Sequence, residues 1–370
     1  MMTTTQTRTD AAHSSGNGLE NAYAHGRLGR RVPWLVLGAT MLLSIVAFAL
    51  LAAAGSTDGF NIVGAIMVGA LGYGVVIFIT SLLVEGMRQA KDRLVTALVT
   101  TAFIIALLPL ISLLYTVVVN GLPRFDVEFF TWSMRSVVGE GGGAVHAIVG
   151  TLLMTLTAAV ISVPIGLMTS IYLVEYSRGG PLSRAINFFV DVMTGIPSIV
   201  AGLFAYAVFA LIFGPGIRLG IAGAIALAVL MIPVVVRSSE DMLKLVPNEL
   251  REASYALGVP KWLTVLKIVL PTAMAGITTG VMLAIARVIG ESAPLLVAAG
   301  FTANLNYDLF DGRMQSLPLF VYNSYIAQGT DAQAYLDRAW AGALTLILIV
   351  MALNLLARLI AKIFSPKKGR

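Results

Sequence analysis

The sequence has no cysteine and very little charge. None of its 370 residues is Cys, 12% are charged, and the three histidines, His13, His25 and His146, are scattered along the chain. Without thiols the chain forms neither disulfides nor thiolate metal sites, and scattered histidines do not make a ligand cluster. These absences argue against redox and zinc chemistry, and we expect no metal site.

A nucleotide-binding loop is also missing from the sequence. No G-x-x-x-x-G-K-[ST] pattern occurs, and the glycine run GEGGG at 139–143 lacks the lysine that such a loop needs. We interpret this run as a flexible lead-in to a helix. The chain itself is therefore not expected to hydrolyse ATP, to carry a catalytic residue or to bind a cofactor.

Apolar residues, by contrast, are abundant. They make up 58% of the chain, and the mean hydropathy of +0.87 is well above the range of soluble domains. A helix needs about 20 apolar residues to cross a bilayer core of about 30 Å. The sequence therefore predicts an all-α integral membrane protein, a polytopic bundle of about eight transmembrane helices. The predicted spans are 33–54, 61–85, 94–120, 145–174, 186–213, 217–237, 271–299 and 339–364.

The distribution of charge indicates how these helices are oriented. The formal net charge is +6, but Lys and Arg lie mostly in short loops between apolar runs, so membrane topology explains them better than nucleic-acid binding. By the positive-inside rule, the basic loops and the two ends of the chain are cytoplasmic. We expect no cleavable signal peptide, a disordered cytoplasmic tail over 1–32 and a basic cytoplasmic tail over 365–370.

The first two spans and the loop that follows them, residues 33–93, are predicted to form an N-terminal hairpin. Gly64, Gly69 and Gly72 in its second helix permit close helix contact, which favours a packing role over a direct role in transport. Two external loops at about 121–144 and 300–338 are longer than a helix connection requires. Within the second, the segment SLPLFVYNSYIAQG is expected to form a short helix on the outer surface.

The cytoplasmic loop at 238–270 has the residues of two short helices that meet at a sharp bend. Pro247 suits the start of a helix, Gly258 can adopt the left-handed conformation that ends one, and Pro260 can open the next. The alternative is an amphipathic helix that lies on the membrane surface without a partner. Such a helix does not need fixed Gly and Pro positions, so we favour the bend.

The spacing in this loop resembles the cytoplasmic signature of ABC importer permeases, which reads E-A-A, three residues, G, nine residues, I-x-L-P. Here the sequence has Glu252-Ala-Ser254, then Gly258, then IVLP ending at Pro271, and only Ser254 departs from the signature. In that family the loop docks on a separate ATPase subunit. The resemblance therefore implies a coupling role for Glu252, Ala253, Ser254, Gly258 and Pro260.

Two charges stand inside the seventh predicted span. Arg287 and Glu291 are spaced i, i+4, so on one helix they would share a face and neutralise one another. A third charge, Arg237, ends the sixth span, which offers it no acidic partner, and a surplus guanidinium suits a tetrahedral oxyanion such as phosphate or sulfate. A silent ion pair for the first two and an interfacial, snorkelling arginine for the third are the alternatives.

A longer resemblance covers about residues 94–364. The runs DVMTGIPSIVAGLFAY, GVMLAIARVIGESAPLL and IYLVEYSRGG are similar to the permease subunits of phosphate ABC importers. The resemblance implies a six-helix core of the type I ABC importer kind in a bacterial cytoplasmic membrane, with Arg237, Arg287 and Glu291 involved in phosphate passage. The hairpin departs from that six-helix plan.

The same resemblance implies the partners of the chain. They are a second, homologous permease subunit, two copies of an ATPase subunit that hold ATP and Mg²⁺, and an extracytoplasmic phosphate-binding protein, all beside membrane lipid. A homodimer of this chain is left open. We expect no nucleic acid among the partners.

These observations suggest a mechanism of phosphate passage. Arg237 and Arg287 would replace part of the hydration shell of phosphate, while Glu291 would pair with Arg287 in the empty site and keep anion binding weak enough for release. Pro197 and Ser198 would break a helix beside the pathway, unless that kink serves packing alone. The alternative functions are a permease for sulfate, molybdate or phosphonate, a proton-coupled transporter in which Glu291 carries the proton, and a membrane scaffold.

Overall fold

The computed structural model describes residues 28–29, 31–54, 61–177, 179–329 and 331–364. Within those ranges the chain is helical, with turns and loops and no strand. The basic tail predicted over 365–370 and all but the last residues of the tail predicted over 1–32 lie outside the described residues. Arg178, in the basic loop between the fourth and fifth predicted spans, also lies outside them.

The α-helices are numbered here in chain order. They are α1 (Val32–Ala53), α2 (Ile62–Val84), α3 (Met87–Gly121), α4 (Val127–Thr131), α5 (Val145–Ile171), α6 (Pro181–Gly195), α7 (Ser198–Phe213), α8 (Gly220–Lys244), α9 (Asn248–Ala256), α10 (Lys261–Thr264), α11 (Leu270–Val288), α12 (Ala293–Ala298), α13 (Leu317–Ile326) and α14 (Ala332–Phe364). A π-turn, Tyr172–Tyr176, extends α5, and a second one, Val265–Val269, joins α10 to α11.

The predicted fold class is confirmed. In the described part of the chain, seven continuous helical stretches are long and apolar enough to cross a membrane. An eighth candidate span is the pair α6 and α7, which is bent by 109°. The helix break predicted at Pro197 and Ser198 is therefore present, because α6 ends at Gly195 and α7 begins at Ser198.

The described residues divide into two compact units between residues 113 and 114, inside α3. In the first unit, α1 and α2 make a tight hairpin. A Cβ on Gly64 would lie 2.7 Å from the Phe48 ring, and one on Gly69 would lie 2.7 Å from the Met41 sulfur, so both glycines allow the close contact that the sequence predicts. A Cβ on Gly72 would lie 3.9 Å from Thr40 of α1, an ordinary contact distance, so the hairpin does not require glycine at this position.

In the second unit, α8 is the central helix. Its first half, GIAGAIALA, is rich in glycine and alanine, and small side chains let neighbouring helices approach closely. Its main neighbour is α5, where a Cβ on Gly166 would lie 2.7 Å from Val235. Met154, Leu227 and Met231 are fully buried in the apolar core that results.

Several predicted spans have different bounds in the structure, and two of the differences concern charged residues. The sixth, predicted to end at 237, continues as α8 to Lys244, because charged side chains that lie outside the apolar core of a bilayer do not end a helix. The seventh, predicted over 271–299, starts ten residues earlier at Lys261 and ends at Val288. Gly290 and Pro294 explain the early end, since both disfavour the interior of an α-helix.

The segment 316–329 forms the predicted short helix, α13, but its first turns do not lie on a surface. Leu317 and Phe320 are buried, and the Leu317 N–H donates a hydrogen bond of 2.6 Å to the Thr151 hydroxyl of α5. A Cβ on Gly342 of α14 would lie 2.8 Å from Val321. The small residues of α14 thus admit α13 into the core, which the surface prediction overlooked.

Candidate functional site: the bend at Gly258 and the helix breaks

The bend predicted in the 238–270 loop is formed by α9, Gly258 and the start of α10. Gly258 has a φ of +75°, in the left-handed region, and its N–H donates to the Tyr255 carbonyl at 2.9 Å. Pro260 precedes α10 and fixes the direction of the second limb. The sequence predicts a short helix for this limb, and that prediction is wrong, because α10 continues through a π-turn into α11.

A pair of buried hydroxyl groups closes the bend. The Ser254 and Thr264 hydroxyl oxygens are 2.8 Å apart, one on each limb, and both side chains are buried. Where the signature has alanine, the hydroxyl of Ser254 therefore has a hydrogen-bond partner on the facing limb. The rest of the tip is exposed, including Glu252, Ala253 and Leu257.

A salt bridge that the sequence analysis missed fastens α9 to the end of α5. Arg251 donates to one carboxylate oxygen of Glu175 at 2.7 and 3.0 Å, and the two side chains are only 12% and 4% exposed. Glu175 lies in the run IYLVEYSRGG and Arg251 directly precedes the signature at Glu252, but the two residues are 76 positions apart. Spacing along the chain gives no sign that they meet.

Arg237 is not a surplus charge, and that prediction is wrong. One of its terminal nitrogens lies 2.5 Å from Asp191 of α6, and the other lies 2.7 Å from Glu240 and 3.0 Å from Asn187. Glu240 was overlooked because the span was predicted to end at Arg237, while Asp191 belongs to another helix. The arginine is half-buried in an ion network that joins α6 to α8.

Arg287 and Glu291 do not share a helix face, and the predicted i, i+4 pair is wrong. Arg287 is in the last turn of α11, whereas Glu291 lies after the helix end, where its N–H bonds to the Val288 carbonyl at 3.1 Å. Among the described residues, neither side chain forms an ion pair. Arg287 is exposed on the surface of this chain, and Glu291 is half-buried.

The three charged residues of the predicted pathway are not brought together. Helices α8 and α11 are in close contact at Ser238 and Gly280, where a Cβ on the glycine would lie 2.5 Å from the serine hydroxyl. Arg287 is seven residues further along α11, or about 10 Å at 1.5 Å per residue. Arg237 and Arg287 therefore lie at different depths of the bundle.

Helices α7 and α12 pack side by side. A Cβ on Gly202 of α7 would lie 2.5 Å from the Pro294 Cα of α12, which leaves room for glycine alone. Ser198 is one helical turn before Gly202, and Glu291 is three residues before Pro294. The break at Pro197 and Ser198 and the break around Glu291 are therefore close to the same helix contact.

The fold defines a class of protein: a multi-pass helical membrane protein with a sharp, rigid bend between two of its helices. In comparison with solved structures, a chain of the MetNI methionine ABC transporter in its inward-facing conformations aligns with a TM-score of 0.50 and 22% identity, over 60% of this chain and 96% of that one. This likeness shows the fold alone.

Sequence comparisons identify the family. The model of the binding-protein-dependent transport system inner membrane component matches residues 162–370. The phosphate transport system permease protein PstA 1 of Mycobacterium tuberculosis is 48% identical over 278 residues, 74% of this chain and 88% of that protein. PstA of Pasteurella multocida is 39% identical over 283 residues, 76% of this chain and 97% of that protein. The chain belongs to this family of transport components, in the group that contains the PstA permeases.

Proposed function

We propose that the chain is a permease subunit of an ATP-driven importer that carries inorganic phosphate across the bacterial cytoplasmic membrane. The observation that carries the proposal is the 48% identity with PstA 1, which extends over 88% of that relative and includes the coupling bend. The proposed partners are a second permease subunit, two ATPase subunits that bind ATP and Mg²⁺, and an extracytoplasmic phosphate-binding protein. Both termini lie in the cytoplasm in this proposal.

The proposed docking surface for the ATPase is the exposed tip of the bend. Glu252, Ala253 and Leu257 project there, and Leu257 is 83% exposed. Gly258 and Pro260 are also exposed and fix the direction of the two limbs, whereas Ser254 is buried beneath the tip. ATP-driven closure of the two ATPase subunits would move the bend and, through α11, the membrane helices.

Arg287 is the proposed phosphate ligand inside the membrane. An arginine at the bilayer centre costs about 2.5 to 3.5 kcal/mol on insertion scales, so an unpaired one needs a compensating environment. In this chain it is exposed and has no carboxylate partner among the described side chains. A water-filled pathway between this chain and a second permease subunit would supply that environment, and a phosphate would supply the negative charge.

We propose that Asp191 and Glu240 compete with phosphate for Arg237. Phosphate that reached Arg237 would have to displace Asp191 and Glu240, and conduction requires binding that is weak enough to allow exit. Glu291, which does not pair with Arg287, is proposed to line the pathway beside the break at Pro197 and Ser198.

The test is uptake of labelled phosphate at low external concentration by cells that lack this gene. We expect the wild-type gene to restore uptake and Arg287→Gln to lower it at least about tenfold, an effect of about 1.4 kcal/mol or more. Arg358→Gln is the matched control, because Arg358 is an exposed arginine on another membrane helix, α14.

Equal expression of the variants in the membrane must be confirmed by immunoblot. Wild-type uptake that is lost equally in Arg287→Gln and Arg358→Gln would contradict the specific role of Arg287. Failure of the wild-type gene to restore phosphate uptake, with uptake of labelled sulfate or molybdate restored instead, would contradict phosphate as the cargo.

A further inference from the structure

The π-turn that ends α5 touches both limbs of the coupling bend through two consecutive residues. Glu175 binds Arg251 of α9, on one side of Gly258, and the Tyr176 ring lies 5.2 Å from the Lys261 ammonium of α10, on the other side. The five-residue π-turn, Tyr172–Tyr176, follows directly on a regular membrane helix. Single π-turns of this kind are frequent at functional sites.

The contact through Glu175 is built to be rigid. An arginine side chain has five N–H donors, and Arg251 uses all five. It bonds to the Glu175 carboxylate through Nε and Nη2, to the Leu243 carbonyl through Nη2, and to the Val246 carbonyl and the Asn248 side chain through Nη1. The guanidinium thus joins the end of α5, the end of α8 and the start of α9.

Apolar side chains stand behind this polar contact. Leu243, Val246 and Val269 form a buried cluster, and Ile171 and Val174 from the end of α5 pack against it. The end of α5 and the two limbs of the bend are therefore held by a salt bridge, an aromatic contact and a shared apolar cluster. Since α5 lies along the central helix α8, a displacement of the bend would reach the core of the bundle through α5 as well as through α11.

We propose that Glu175 and Tyr176 are positioning residues that transmit the movement of the coupling bend to α5. The proposal rests on the function proposed above, in which an ATPase moves the bend. The partners of both residues, Arg251 and Lys261, lie beside the exposed tip and not in it, so the contact is internal to this chain. Loss of the contact is expected to leave ATPase docking intact and to weaken the link between ATP hydrolysis and transport.

The test uses the complete complex of both permease subunits, the ATPase and the binding protein in proteoliposomes. The measured quantity is the number of phosphate ions transported per ATP hydrolysed. We expect Glu175→Gln to lower this ratio roughly 2- to 30-fold, the range of coupling effects in such contact networks. The matched control is Glu85→Gln, which removes another buried, arginine-bound carboxylate from the chain at a site far from the bend in sequence.

A milder pair of variants protects the test against misfolding. Tyr176 is 44% exposed, so replacing it with Leu or Phe should not disturb the core. Tyr176→Leu removes the aromatic face and is expected to lower the ratio, whereas Tyr176→Phe keeps the face and is expected to recover most of it. Equal ratios for Tyr176→Leu, Glu175→Gln and wild type would overturn the proposal.

A distance measurement tests the same proposal without reference to the cargo. Because the chain has no cysteine, spin labels can be placed at Trp262→Cys on α10, which is exposed and outside the proposed docking surface, and at Met168→Cys on α5. We expect one narrow distance distribution with and without ATP in the otherwise wild-type complex, and a broader or shifted one with ATP in Glu175→Gln. A distribution unchanged by Glu175→Gln would overturn the proposal. Wild type that moves no phosphate but keeps the narrow distribution would contradict only the proposed cargo.

Discussion

Among single residues, Ser254 departs from the alanine of the signature, and its buried hydroxyl is hydrogen-bonded to a hydroxyl on the facing limb. Its hydroxyl lies 2.8 Å from the Thr264 hydroxyl, which is also 3.3 Å from the Pro260 carbonyl. Ser254→Ala leaves that second bond to Thr264, so we expect a loss of only about 1 kcal/mol of stability. Thr264→Val strands a buried serine hydroxyl and should cost more, about 1 to 3 kcal/mol. Thermal unfolding of the purified protein in detergent measures both.

The double variant Ser254→Ala with Thr264→Val is the control. It removes both hydroxyl groups and leaves no stranded donor, so its stability should be close to that of wild type. A double variant less stable than Thr264→Val alone would show that the two hydroxyls do not depend on each other.

A second residue-scale prediction concerns Glu85, which follows α2. Its carboxylate accepts hydrogen bonds from Arg93 at 2.6 and 2.8 Å, from the Leu28 N–H at 2.9 Å and from the Ser81 hydroxyl at 2.8 Å. These bonds, that of Arg93 above all, lower the pKa of Glu85 from 4.5 to about 2. Because the pKa is lower in the folded state, the stabilisation is complete above pH 4.5 and is lost as the pH falls towards 2.

The measurement compares the unfolding temperatures of wild type and Glu85→Gln in detergent across this pH range. We expect a constant gap in favour of wild type from pH 7 to about 5, and a gap that closes at lower pH. A gap that stays constant down to pH 3 would contradict the assignment of the lowered pKa to Glu85.

At the scale of helices, hydropathy located the spans and Gly–Pro spacing located the bend, because both depend on residues that are near in sequence. The pairing of charges could not be predicted in the same way. Asp191 and Glu175 reach their arginines from helices 46 and 76 residues away. Arg287 and Glu291 have helical spacing but no helix between them, since Gly290 and Pro294 end α11 early. Local spacing is a guide to geometry only where the element continues.

The shape of the bend depends on the backbone conformation of Gly258. A Cβ added there would meet no neighbour within 4 Å, so any effect of substitution comes from its φ of +75° alone. Gly258→Val should strain the bend by about 1 to 3 kcal/mol and reduce phosphate uptake, whereas Gly258→Asn should be tolerated better, since Asn accepts the left-handed region more readily than a β-branched residue. Uptake and binding-protein-stimulated ATP hydrolysis measure the effect, and equal activity of the two variants would contradict it.

At the scale of the whole molecule, the bent pair α6 and α7 decides the topology. If the pair counts as one crossing, the described chain has eight spans and both ends lie on one side of the membrane; if it enters and leaves on the same side, the number is seven. The absence of cysteine allows single reporter residues. Leu257→Cys on the bend and Phe310→Cys in the 300–338 loop are suited to this, since the two side chains are 83% and 72% exposed.

With a membrane-impermeant maleimide, we expect Phe310→Cys to be labelled in intact spheroplasts and Leu257→Cys only in inside-out vesicles. The positive-inside orientation places residue 184 in the cytoplasm and residue 310 outside, with three crossings between them. Those crossings are the pair α6 and α7, then α8, then the stretch from α10 to α12. A cysteine that replaces Thr3 should be labelled together with Leu257→Cys. If Thr3→Cys and Leu257→Cys were labelled from opposite sides, one of the spans before the bend would fail to cross, and the positive-inside assignment would need to be revised at that helix.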